Sequence, residues 1–175
     1  MKGILEICCT SLEDAKHAFD NGADRIELCE NLSVGGVTPG LQLIESVISA
    51  VQIPVFVLIR PRPGDFVFNN KELKKMLSSI QNCVDVGVSG IVSGALKFNN
   101  NIDIYVLDKL IEASRSLPFT FHRAFDESEN IEQSFKELRS KRVDRVLSSA
   151  GLSRASDDPK KISRFVQLSE SNPRV

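Results

Sequence analysis

Residues 25–29, Arg25-Ile26-Glu27-Leu28-Cys29, alternate polar and apolar. A period of two predicts a strand with Ile26 and Leu28 on one face and Arg25, Glu27 and Cys29 on the other. The first face suits the layer between a sheet and its helices. The second carries a cation, an anion and a thiol in a row, which an ordinary core avoids because unpaired buried charge is costly. Glu6-Ile7-Cys8 repeats the spacing of Glu27-Leu28-Cys29, so two successive strands are expected to share this polar inner face.

The rest of the chain keeps switching between strand and helix patterns. Residues 4–8 predict the first strand. Ser11 and Asp14 open a helix with Leu12, Ala15 and Phe19 as its apolar stripe, and Gly22 ends it. After the second strand, Thr38-Pro39 reads as an N-cap and a first-turn proline for a helix striped by Leu41, Ile44, Ile48 and Val51. Residues 54–60, PVFVLIR, form an apolar run ending in arginine, as in a strand buried on both faces whose tip reaches a rim. A long loop over 61–70 carries Arg62, Asp65, Phe66 and Phe68 before a helix stopped by Gly87. Further strands are predicted at 90–94, 118–123 and 145–149. Their helices begin at Asp103, near Ile131, and at Asp158-Pro159, the last using Ile162, Phe165 and Val166.

Six strand–helix units with short connections predict a parallel sheet with right-handed crossovers. An open doubly wound sheet and a (β/α)8 barrel share this signature. Polar residues at the end of nearly every strand favour the barrel, whose active mouth is built from all strand ends. The expected class is therefore α/β, a TIM-barrel type, in one partial domain over residues 1–175. It is truncated to about six units, since a full barrel needs eight and at least ~200 residues. Strands 1 and 6 would then be open edges.

Composition narrows the function. The 175 residues are 42% hydrophobic with a formal charge of -1, enough for a core and too little positive charge for a nucleic-acid or anionic-membrane binder. The apolar runs are shorter than the ~18 residues that cross a bilayer. Four cysteines without framework spacing fit free thiols in a reducing, cytoplasmic setting.

The strand ends gather the candidate chemistry: Glu6, Cys8, Glu27, Cys29, Arg60, His122, Arg123 and Ser148, with Arg62, Asp65 and Asp126 from loops. Cys8 and Cys29 end adjacent strands and could meet on a soft ion; Cu(I) accepts few sulfur ligands, whereas Zn(II) would want four. Packing is the alternative, because free cysteine is among the most buried residue types. Cys9 points the other way and Cys83 lies on a helix stripe, so both read as core. Glu6 and Glu27 suit general acid–base work or ion pairs with Arg25 and Arg60. His122 shares a face with Thr120 and points inward. Arg60, Arg62 and Arg123 suit a carboxylate or phosphate ligand, and Gly35, Gly36 and Gly64 could free backbone amides for an anion.

With these residues assembled, the chain resembles the CutC copper-homeostasis family. The resemblance is carried by LEIC (5–8), NGADRIELC (21–29), GGVTPG (35–40), IPVFVLIRPRPGDF (53–66), TFHRAFD (120–126) and DRVLSS (144–149). It implies a (β/α)8 barrel, a cytosolic location, homo-oligomers and a role in copper handling, with Cu(I) held by the cysteines matching Cys8 and Cys29. The chain departs from the family in stopping before the seventh and eighth strands. It also reads Ser148-Ser149-Ala150-Gly151 where the family usually has Thr-Ser-Gly.

Two functions from different classes follow. In the first, the protein handles copper(I) through Cys8 and Cys29, with His122 as a possible third ligand. In the second, it is a metal-independent enzyme for a small anionic metabolite, bound by Arg60, Arg62 and Arg123, with Glu6, Glu27 or His122 moving protons.

Overall fold

Six short parallel strands lie side by side in the order in which the chain makes them. They are β1 (Glu6–Cys9), β2 (Arg25–Leu28), β3 (Val55–Leu58), β4 (Gly90–Ser93), β5 (Phe119–Phe121) and β6 (Arg145–Val146). Each is followed by a helix: α1 (Leu12–Asp20), α2 (Leu41–Ala50), α3 (Asn70–Val86), α4 (Ile104–Ala113), α5 (Ile131–Arg139) and α6 (Pro159–Ser169). This computed structural model describes residues 3–169 and 173–175. A strand order without a switch point is that of a barrel, not of a doubly wound sheet. Among the described residues the sheet does not close, and the fold is a half-barrel of TIM-barrel type.

The helix starts show how local chemistry sets the elements. Ser11 accepts a hydrogen bond from the Asp14 N–H at 3.0 Å, and Asn69 and Glu72 form a reciprocal capping box at α3. Asp103 and Asn130 cap α4 and α5. Gly87 closes α3 at φ 82°, a left-handed conformation open to glycine without penalty. The expected Thr38-Pro39 cap does not form: α2 starts at Leu41 behind Gly40, with no side-chain cap. The Thr38 hydroxyl instead accepts the Arg60 N–H at 2.8 Å, tying the second loop to the end of β3.

Strand alternation separates two apolar regions. Ile26, Leu28, Val55, Val57, Ile91, Phe119, Phe121 and Val146 face the helices in the main core. Burying one such side chain stabilises the fold by roughly 1.5–3 kcal/mol. Cys29, Phe56, Leu58 and Val92 form a smaller cluster on the opposite face of the sheet. Cys9 and Cys83 are buried in the main core, and burial pushes their thiols up to about 11 and about 12. Val166, expected on the stripe of α6, is exposed, while Phe165 is buried.

The two edges of the sheet differ, which corrects the expectation of two open edges. Beside β6, Arg174 forms a parallel bridge with Arg145. The Val146 N–H donates to the Arg174 carbonyl at 2.7 Å, and the Arg174 N–H donates to Asp144 at 2.9 Å. The β1 edge has no strand beside it among the described residues, and Ile4, Leu5 and Ile7 next to it are exposed.

Candidate functional site

Parallel strands deliver their C-terminal ends to one side of the sheet, and there a cavity of about 770 Å³ opens. Glu6 and Cys8 reach it from β1, Glu27 from β2, and Leu58 and Arg60 from the end of β3. His122, Arg123, Asp126 and Glu127 follow β5 and line the cavity too, as do Phe66 and residues after β6.

The two sulfurs meet. Cys8 Sγ and Cys29 Sγ lie 3.5 Å apart and share a hydrogen bond. Register explains the approach: Cys8 pairs with Glu27, and the Cys29 N–H donates to Cys9, which sets the sulfurs one pleat apart on the same face. Cys29 is fully buried and Cys8 is exposed. The hydrogen bond from Cys8 pulls the Cys29 thiol down, against burial and the Glu27 carboxyl. The same bond pushes Cys8 up, reinforced by burial and by the charges of Cys29 and Glu6. The pair therefore holds one proton tightly and releases the other more readily. Gly36 permits this packing: a Cβ there would come within 2.8 Å of Leu58 and 3.4 Å of Cys29 Sγ.

The two carboxylates have different fates. Glu6 is ion-paired with Arg25, whose guanidinium also stacks on Phe56 at 4.7 Å. Glu27 has no ion pair among the described residues and is 8% exposed. Burial first, then the Glu6 and Cys8 charges, push its carboxyl up to about 8, with Arg25 opposing. It carries its proton at neutral pH.

Arg60 is 5% exposed. It donates through Nη1 to the Val34 and Gly36 carbonyls at 3.0 and 2.9 Å, and through Nη2 to Gly64 at 2.6 Å. Its guanidinium lies over the Phe66 ring at 4.8 Å, and its Nε has no acceptor. The ring of His122 packs on the same Phe66, with centroids 4.8 Å apart. His122 Nδ1 accepts the Ala124 N–H at 3.3 Å, which places the proton of the neutral ring on Nε2, and Nε2 is unpartnered. Burial and the Arg60 charge push this imidazole down to about 3. A Cβ at Gly94 would come within 3.0 Å of the His122 ring, so glycine is needed for the ring to sit there.

The remaining polar candidates are occupied by one another. Arg62 bonds Glu72 at 2.6 Å and Asp65 at 2.8 Å, plus three carbonyls. Asp126 accepts from Ser148 Oγ at 2.7 Å, from Arg123 at 2.9 Å, and from the Ser149 and Gly151 N–H groups. The Gly35 and Gly36 amides donate within their own turn to Leu32 and Asn31, so they form no free anion nest. Phe66, Gly94 and Glu127 were not singled out from the sequence as parts of the site. Phe66 stood in the long loop, and only the fold brings it against Arg60 and His122.

The fold and its rim define a class: a parallel α/β half-barrel of TIM-barrel type with a dithiol at the C-terminal ends of its first two strands. The sequence model of the CutC family matches residues 3–175. The chain is 40% identical over 171 residues to the family protein CutC of Pasteurella multocida (strain Pm70), covering 98% of this chain and 70% of that one. It is 40% identical to the human copper homeostasis protein cutC homolog, covering 94% of this chain and 60% of that one. A crystal structure of the protein CutC from Streptococcus agalactiae superposes with a TM-score of 0.89 at 32% identity, covering 95% of this chain and 83% of that one. The chain belongs to the CutC family. It spans only 60–70% of the length of these two curated relatives.

Proposed function

We propose that this protein handles copper(I) in copper homeostasis, carrying the ion as cargo between Cys8 and Cys29. The observation behind the reading is the pair of free sulfurs 3.5 Å apart at the rim, and the name of the curated human relative supports it. Thiolates are the soft ligands that Cu(I) favours. Two metal–sulfur bonds of ~2.3 Å laid in line span ~4.6 Å, so a two-coordinate ion requires the sulfurs to part by about 1 Å. Cys8 is exposed on β1, the edge with no strand beside it among the described residues.

Among the described residues no group of three or more His, Cys, Asp or Glu side chains is arranged to hold a metal ion, so the proposal keeps two ligands and leaves His122 out. Both sulfurs must lose their protons to bind, so affinity rises with pH. A reducing cytosol keeps the thiols available.

Anaerobic Cu(I) titration against a chromophoric competitor tests the reading. One ion per chain is expected. Cys8→Ser and Cys29→Ser should each weaken binding by more than the ~100-fold that loss of an outer-shell partner can cost, while His17→Ala, exposed on α1, leaves it unchanged. Unchanged stoichiometry and affinity in both cysteine variants would overturn it.

A further inference from the structure

We propose that the mouth cavity contains a second binding site, separate from the dithiol, in which Arg60 and His122 hold the carboxylate of a small monocarboxylic acid. Both residues line the cavity, and both are buried, at 5% and 4% exposure. Each has an N–H without an acceptor, Arg60 at Nε and His122 at Nε2. A guanidinium has five N–H donors. Three of Arg60's are engaged by the Val34, Gly36 and Gly64 carbonyls, which leaves the Nε–H and one on Nη2. Those neighbouring nitrogens suit the two oxygens of a carboxylate.

Charge points the same way. Among the described residues no carboxylate forms an ion pair with Arg60. Arg62 and Arg123, by contrast, are paired with acids. The charges of nearby Glu127 and Asp65 favour this cation without bonding to it, against the cost of its burial and the charge of Arg62. The neutral ring of His122 adds a donor but no charge, so the site offers a single positive charge. It matches a monoanion and disfavours phosphate, which would leave excess negative charge near Glu127. Leu58, Phe66 and Leu147 supply apolar wall, which favours a ligand with a short hydrocarbon body over a bare ion.

Butyrate, acetate and inorganic phosphate are the probes, read by the side-chain N–H resonance of Arg60 Nε in the whole protein, assigned by its loss in Arg60→Lys. Butyrate should shift the resonance saturably, acetate more weakly, and phosphate weakest of the three. His122→Ala should weaken butyrate about tenfold or more, the effect of one hydrogen bond to a charged group. Butyrate is titrated without copper present, so failure of the copper reading and failure of this one are separable, and His17→Ala, exposed on α1, should leave butyrate binding intact. No saturable shift at Arg60, phosphate binding tighter than butyrate, or unchanged binding in His122→Ala would each overturn the proposal. The comparison of probes on the unaltered protein needs no variant to fold.

Discussion

The rim of the sheet carries two kinds of polar cluster built from the same residue types. In one kind, Arg62–Asp65–Glu72 and Arg123–Asp126–Ser148, every charge meets a partner from its own loop or the next. In the other, Cys8, Glu27, Arg60 and His122 line the cavity, with Cys29 buried behind Cys8, and protons or N–H groups are left over. The first kind fastens loops to the scaffold. The second has unmet bonding capacity, which is what a ligand requires. Satisfaction of partners, not residue type, separates the two.

Removing a fastener should produce the largest change in stability. Asp126→Ala takes the acceptor from three hydroxyl or guanidinium donors and two backbone N–H groups at a side chain only 5% exposed. The expected loss is about 3 kcal/mol in a urea melt. Its carboxyl is held below the ordinary carboxylate range by Ser148, the Ser149 and Gly151 amides and Arg123, against burial. That contribution is therefore present at neutral pH and disappears as pH falls through the native pKa. A loss below ~0.5 kcal/mol would show that the fastened clusters are ornamental.

Glu27→Gln should act in the opposite direction, by a comparable amount. The native carboxyl titrates at about 8, above its ordinary 4.5. Below pH 4 both folded and unfolded states are protonated and the substitution changes little. As pH rises from about 4.5 to about 8 the unfolded chain gains from ionisation that the native state resists, so the wild type loses stability across that window. At pH 7 Glu27→Gln is expected to be about 3 kcal/mol more stable, with no gain at pH 4. A pH-independent difference would place Glu27 among the satisfied groups.

The faces of the strands were legible in the sequence because a period of two leaves no freedom: Ile26 and Leu28 had to face one way once Glu27 and Cys29 faced the other. Helix starts at Ser11, Asp103 and Asp158 were legible for the same local reason. Thr38 was misread because its hydroxyl is claimed by Arg60, 22 residues away. Arg60, Arg62 and Arg123 looked alike in the sequence. Glu72 and Asp126 neutralise the latter two, and a side chain's partners are set by tertiary packing. The strand-like pairing of Arg174 with β6 had no periodic signal, being a single residue of bridge.

The central claim is that two sulfurs, and no third protein ligand, form the copper seat. X-ray absorption at the copper edge of anaerobically Cu(I)-loaded protein tests it most directly. Two sulfur neighbours and no imidazole scattering are expected. A shell containing a histidine nitrogen, or one without sulfur, would contradict it.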